Sequence, residues 1–288
     1  MTELPFTLQN RRGETLVGVH HPAPNAKATI IMLHGWSGTR SGPHQMLTRA
    51  ARHFADAGLS CLRFDFAGRG DSDGDTELAT LATMRDDARD VFRFAQEQSD
   101  APLWVLGLCS GCEIALASVE PELRGAILWS APVFAALPDD AGQAQKRAAN
   151  IKKYAQKLLR PATYLKILSG QVDARGVQSA MAGAGGAAHK NVESNQAGQL
   201  PPGFRVQSLE AWQSFRGEIF QIYGGADPIL DAARAFYARN SPPIVRSHTV
   251  EGANHSFYGL HWEREVIETT AGWLRASEFA TNGTADGR

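Results

Sequence analysis

Pro102-Leu103-Trp104-Val105-Leu106-Gly107-Leu108-Cys109-Ser110-Gly111-Cys112 decides how the rest of the chain is read. An apolar run of strand length ends in Gly-x-Cys-x-Gly, and a helical pattern starts at once, over Glu113 to Val119. This is the layout of a nucleophile elbow with cysteine at its tip. A nucleophile raised on so tight a strand-to-helix turn sits in a strained backbone conformation. The residues two before and two after it crowd the turn, so both must be small; Gly107 and Gly111 meet that demand around Cys109. Centred on Ser110, the same positions would hold Leu108 and Cys112, a poorer fit. Cys109 is therefore the expected nucleophile and Ser110 the alternative. A free cysteine is also a common small core residue, so the motif needs partners elsewhere.

Upstream of the elbow, residues 4–9 and 15–20 read as two short strands turning at Arg12-Gly13-Glu14. Ala28 to Leu33 is a continuous apolar run, the pattern of a strand buried on both faces. It ends in His34-Gly35-Trp36-Ser37-Gly38. A helix is expected over 43–57, opened by Pro43 and closed by Gly58. A strand follows over Ser60–Phe64, then the glycine-rich loop Asp65 to Gly74, then a long helix over about 78–98. Downstream of the elbow helix, Arg124–Trp129 is another apolar strand. Strand and helix alternate at short spacing, which predicts a parallel sheet with helices on both faces. The rhythm then breaks until a strand at Glu218–Tyr223, a helix at 229–239, a strand at Ile244–Val250 and a helix at 262–277.

This pattern predicts an α/β core from 1–130 and 206–277, an inserted helical lid at 131–205, and a tail at 278–288. Within the insertion, Ile151, Tyr154 and Leu158 fall at helical spacing. Lys146, Arg147, Lys152, Lys153, Lys157, Arg160 and Lys166 make it basic, a pattern that a solvated helix face would also show. Gln178 to Gly203, rich in Gly, Ala, Ser, Asn and Gln, reads as a flexible loop. Leu209, Trp212 and Phe215 point to a helix returning to the core.

Two further residues complete a set. Gly224-Gly225-Ala226-Asp227-Pro228 follows one of the late strands, and Glu251-Gly252-Ala253-Asn254-His255 follows the last. Loops at the carboxyl ends of parallel strands face the site region of an open α/β sheet. Asp227 before Pro228 would also serve as a plain helix cap, and His255 as a surface histidine. His248 lies inside a strand, His20, His21, His44, His53 and His189 lack the loop context, and His261 is a weaker alternate. Nucleophile, acid and histidine at three separate strand ends, in that order, is the pattern of a catalytic triad.

Bulk properties narrow the class. The chain has 288 residues, 43% hydrophobic and 20% charged, consistent with a packed globular core. A formal net charge of -1 argues against a general nucleic-acid binder. Three cysteines, Cys61, Cys109 and Cys112, do not make a disulfide framework. Cys109 and Cys112 form C-x-x-C, so a redox-sensing thiol pair is a competing reading; no second ligand pair accompanies it to hold zinc. No apolar stretch reaches the roughly 18 residues of a membrane span; the opening Met1-Thr2-Glu3-Leu4-Pro5 lacks a basic region followed by an apolar one, so no signal peptide and a cytoplasmic protein are expected. The loop Phe66 to Gly70 lacks the dinucleotide fingerprint, and no metal or cofactor is implied.

With those residues in hand, the chain resembles an α/β-hydrolase, and within that superfamily the serine-aminopeptidase-like branch. His34-Gly35 resembles its oxyanion loop, Asp65-Phe66-Ala67-Gly68-Arg69-Gly70-Asp71-Ser72 its Asp-x-x-Gly-x-Gly-x-Ser turn, and Gly224 to Asp227 with Asn254-His255 its acid and histidine loops. Cysteine at the elbow departs from that branch and resembles dienelactone hydrolase. The resemblance implies an eight-stranded, mostly parallel sheet. It also implies a Cys109-His255-Asp227 triad, with an oxyanion hole at the backbone N–H groups of Ser110 and of Trp36 or Gly35. His34, Trp36 and Tyr154 are the expected substrate contacts. A thiolate exchanges evenly with a thioester, and a thiol leaves a tetrahedral intermediate more easily than an amine does. Thioester or ester hydrolysis is therefore expected before peptide cleavage. Acyl transfer to an amine, alcohol or thiol is the alternative, and a non-catalytic ligand-binding protein on the same fold a further one. The basic residues between 146 and 166 would suit the phosphates of a coenzyme A thioester or an acidic carrier protein.

Overall fold

Strand patterns of five to seven residues pair into one sheet in the structure. It is a computed structural model describing residues 2–134, 200–242 and 245–282. The strands are β1 (Leu4–Gln9), β2 (Thr15–His21), β3 (Thr29–Leu33), β4 (Ser60–Phe64), β5 (Leu103–Leu108), β6 (Leu123–Trp129), β7 (Glu218–Gly224) and β8 (Val245–Val250). Their order across the sheet is β1-β2-β4-β3-β5-β6-β7-β8. β2 is antiparallel to both β1 and β4, and the other neighbouring pairs are parallel. This is the expected eight-stranded, mostly parallel sheet.

The unbroken apolar runs of the central strands have a simple cause: alternate side chains enter two different cores. In β3, Ile31 and Leu33 join one core while Ile30 and Met32 join the other. In β5, Leu103 and Val105 go one way, and Trp104, Leu106 and Leu108 the other. Each such side chain, once fully buried, contributes about 1.5–3 kcal/mol of hydrophobic stabilisation before chain entropy is counted. Helices α1 (Met46–Asp56) and α6 (Leu260–Asn282) close the second core with Met46, Leu47, Phe54, Val266 and Trp273. The first core is covered by α2 (Leu81–Gln98), α3 (Gly111–Ser118), α4 (Phe204–Ser214) and α5 (Leu230–Asn240). They supply Met84, Val91, Ile114, Trp212 and Tyr237.

The local departures have local causes. The helix expected over 43–57 is a short turn at Pro43–Gln45 followed by α1. His44 and Gln45 adopt φ of 40° and 65°, which no α-helix continues through. The long helix starts at Leu81 rather than 78, because Thr80 and Thr83 form a reciprocal capping box there. The last helix begins two residues earlier than expected, at Leu260, and extends to Asn282. The helix around Leu209 and Trp212 is present as α4. The expected lid, its basic stretch 146–166, its glycine-rich loop up to residue 199, and Tyr154 lie outside the described residues.

Register delivers the functional loops to one edge. Leu33 pairs with Gly107, Leu108 with Trp129, and Gly224 with Val250. The segments after β3, β5, β7 and β8 therefore emerge side by side at the carboxyl ends of the strands.

Candidate active site

β5 ends at Leu108, and Cys109 takes φ of 55°, a left-handed conformation that is uncommon for a non-glycine residue. Ser110 returns to the helical region and α3 begins at Gly111. The two glycines are required sterically. A Cβ on Gly107 would lie 2.5 Å from the Gly111 carbonyl oxygen, and one on Gly111 would lie 2.4 Å from the Leu33 carbonyl oxygen. The turn is closed further by Cys109 N–H donating to Trp129 O at 2.9 Å and Cys112 N–H donating to Cys109 O at 2.9 Å.

Asp227 follows β7, 5% exposed. Its Oδ1 accepts from the Ile229 N–H at 3.1 Å, while Oδ2 lies 2.7 Å from His255 Nδ1. The plain helix-cap alternative is not what forms: α5 begins at Leu230 with Ile229 as its N-cap and no side-chain cap, so Oδ1 braces the loop ahead of the helix. The acid and histidine loops are stitched together by Gly225 N–H to Val250 O and Ala226 N–H to Ala253 O, at 2.8 and 2.9 Å. Asn254 Oδ1 accepts from the N–H groups of Ser256 and Tyr258, which fixes the turn that carries His255. His255 Nε2 stands 3.1 Å from Cys109 Sγ.

The electrostatics follow from this chain of contacts. Burial pushes the Cys109 thiol up, but its hydrogen bond to His255, the charge there, and contacts from Ser110 outweigh burial and hold it below the ordinary thiol value. The contact with Cys109 raises His255; burial opposes it, Asp227 adds to it, and the imidazole is carried to about 9. The two shifts run in opposite directions because each partner favours the charged form of the other. Such a pair can attack a carbonyl carbon and return a proton to a leaving group.

The loop after β3 completes the site. His34 is buried, its Nδ1 2.8 Å from Gly35 O, with Nε2 accepting from Phe66 N–H at 3.4 Å. Burial lowers its pKa, so the ring is neutral with the proton on Nδ1. Holding the Gly35 carbonyl also aims the N–H of the next residue, because both belong to one planar peptide. That N–H, of Trp36, donates to Ser110 Oγ at 2.6 Å. His34 thus shapes the loop from behind and does not line the cavity, where substrate contact was expected of it. Arg69 Nε donates to Trp36 O at 2.8 Å with its guanidinium 5.4 Å from the Trp36 ring centre. Asp65, fully buried, accepts from Arg40 N–H at 2.6 Å, from the Arg40 guanidinium and from Asp71 N–H at 3.1 Å. The glycine-rich turn, expected to be only a turn, therefore clamps the loop over Trp36 and Arg40. Nothing in the sequence pairs Arg40 with Asp65 or aims Arg69 at Trp36.

A cavity of about 420 Å³ opens above Cys109, lined by Trp36, Ser37, Thr39, Pro43, Leu108, Ser110 and His255 among others. Trp36 is 44% exposed at its rim. Among the described residues, His255 and Cys109 are the ionisable side chains of this lining. A second cavity, about 340 Å³, lies at the amino ends of the strands near His20 and Ser60, away from these loops. Among the described residues no group of three or more His, Cys, Asp or Glu side chains is placed to hold a metal ion. The alternate histidines lie elsewhere: His248 in β8 contacts Glu265, and His261 in α6 stacks on Trp262.

A profile of the alpha/beta hydrolase family matches residues 30–269. The chain belongs to this family. A search of the curated proteins found no match. Solved structures share the hydrolase fold at low sequence identity. The esterase domain of a Rhodothermus marinus protein has a TM-score of 0.63 at 19% identity, covering 96% of this chain and 99% of that one. A Pyrococcus furiosus esterase has 0.64 at 18%, covering 96% and 91%. An alpha/beta hydrolase from a Penicillium species has 0.66 at 16%, covering 96% and 99%. Among the described residues of this hydrolase-family chain no helix is long and apolar enough to cross a membrane.

Proposed function

We propose that the chain is a hydrolase of esters or thioesters that works through an acyl-enzyme on Cys109. The observation that carries this reading is the line of contacts from Asp227 Oδ2 through His255 to Cys109 Sγ, at 2.7 and 3.1 Å, at the tip of a left-handed elbow. The esterases among the structural neighbours favour the same class. The motifs around Asp65 and His34 favour the serine-aminopeptidase-like branch, with cysteine in place of serine shifting the chemistry away from peptides.

In this reading the Cys109 thiolate forms a bond to the carbonyl carbon and the carbonyl π pair moves onto oxygen. The oxyanion hole comprises the Ser110 N–H with the Trp36 and Gly35 segment; one such donor is typically worth about 3 kcal/mol. As the tetrahedral intermediate collapses, the imidazolium gives its proton to the departing alcohol or thiol. Water then attacks the acyl-thioester while His255 takes a proton from it, the carbon–sulfur bond breaks, and the carboxylic acid leaves with Cys109 again a thiolate. Asp227 orients the imidazole and stabilises its charge throughout. The cavity lining suits an uncharged acyl group, with Trp36 as its contact. The basic residues from 146 to 166, outside the described region, suit by composition a coenzyme A or carrier-protein thioester. The cysteines are all free thiols, in keeping with a reducing compartment such as the cytoplasm.

Intact-protein mass spectrometry after brief exposure to a panel of acyl thioesters and aryl esters tests the proposal. An acyl adduct mapping to Cys109, absent in Cys109→Ala, is the expected result. An adduct on Ser110, or full activity in Cys109→Ala, overturns the nucleophile. No adduct and no product across the panel would favour a ligand-binding protein. Product analysis with added amines, alcohols and thiols separates hydrolysis from acyl transfer.

A further inference from the structure

The expected partner of a developing oxyanion, the Trp36 N–H, is already engaged: it donates to Ser110 Oγ at 2.6 Å. That contact places the Ser110 hydroxyl against the oxyanion loop. A Cβ built on Gly35 would lie 3.2 Å from Ser110 Oγ and 3.8 Å from Cys109 Cβ, so the three groups converge on one spot. The usual structural duty of a serine at this position is absent. Ser110 is the N-cap of α3, yet its side chain makes no capping hydrogen bond. A hydroxyl has one proton to give besides the lone pairs it offers. With its oxygen accepting from Trp36, the Ser110 hydroxyl still has its own proton to give, and it lines the same cavity as Cys109.

We infer that the Ser110 hydroxyl is a catalytic donor: it supports the resting Cys109 thiolate, then turns the same O–H onto the oxyanion, with the Trp36 N–H acting through it. This rests on the acyl-Cys109 reading above. The charge arithmetic is direct. As the sulfur lone pair becomes the new carbon–sulfur bond, sulfur loses its negative charge and the carbonyl oxygen gains it. The hydroxyl keeps its proton and exchanges one acceptor for the other, so no proton changes owner. Accepting from Trp36 polarises the O–H and strengthens what it donates. The contact from the Ser110 side chain is among those that lower the Cys109 thiol, in keeping with this geometry.

Ser110→Ala removes the hydroxyl and keeps the backbone N–H; Ser110→Thr keeps both. In Ser110→Ala, kcat on an acyl thioester is expected to fall roughly ten- to hundredfold with KM little changed. The pH profile of Cys109 alkylation by iodoacetamide should move to higher pH. Ser110→Thr should restore both, and matched thermal unfolding of the variants checks that the fold is intact. Wild-type or faster turnover in Ser110→Ala would show that the hydroxyl only obstructs Trp36, and an unmoved alkylation profile would show that it does not support the thiolate; either result overturns the inference. The alkylation arm needs no substrate. If wild-type protein turns over none of the acyl compounds, the functional reading fails separately, and the profile still decides the role of the hydroxyl.

Discussion

Cys109 and Cys112 stand three residues apart at the head of the same helix, and their surroundings differ in every respect that governs thiol chemistry. Cys109 is half-buried, held at φ of 55° and in contact with His255. Cys112 is fully buried; its thiol donates to the carbonyl oxygens of Gly107 at 3.1 Å and Trp129 at 3.3 Å, and burial pushes it well above the ordinary thiol value. Position at a helix N-terminus lowers a thiol only modestly. Contact with His255 and an opening to the cavity make the difference, and Cys112 has neither. The same contrast removes appeal from the redox reading of C-x-x-C: one member of the pair serves as core.

The contrast breaks first if alkylation rates fail to separate the thiols. Iodoacetamide should modify Cys109 at least about a thousandfold faster than Cys112 or Cys61 in the native protein, followed by peptide mapping. The rate should rise through a pH below that of an ordinary thiol, because the thiolate reacts and Cys109 is held down. Acyl turnover should fall again above about pH 9, where the imidazolium loses the proton it must deliver. Rates that are equal, or a Cys109 profile at the ordinary thiol position, would end the comparison.

A smaller effect sharpens it. Asp227→Asn removes one of the influences that raise His255, so kcat should drop and the alkaline limb should shift to lower pH. An unmoved limb would mean that Asp227 only braces its own loop. The smallest effect belongs to the buried member. Cys112→Ala should cost about 1–2 kcal/mol in urea unfolding, from a small void and two lost thiol contacts, while leaving Cys109 alkylation within about twofold of wild type. A large drop in alkylation would show that the two sulfurs are coupled.

How much of this was legible beforehand depends on the range of the interaction. The elbow was readable from Gly107 and Gly111, because their need to be small is a property of the turn itself. Asp227 and His255 were readable because a strand places the residue after it, and the strands announce themselves by apolar runs. The break at His44 and Gln45 was not, since neither residue type demands a positive φ and the apolar spacing begins only at Met46, after it. Nor was the burial of His34, whose ring turns toward Phe66 rather than the cavity, or the meeting of Arg40 with Asp65. These are contacts between side chains 25 or more residues apart, and no periodicity encodes them. The contact of the Ser110 hydroxyl with the Trp36 N–H was hidden for a further reason: it exists only once β3 and β5 are aligned.

The clamp on the loop after β3 has a consequence for the cost of each reaction cycle. Asp65, Arg40, Arg69 and His34 fix the backbone from Gly35 to Arg40 through contacts made within the chain itself. The conformational entropy of that segment is surrendered when the chain folds. Binding a substrate does not have to surrender it again, so little of the binding energy is diverted to ordering the loop and more remains for the reacting centre.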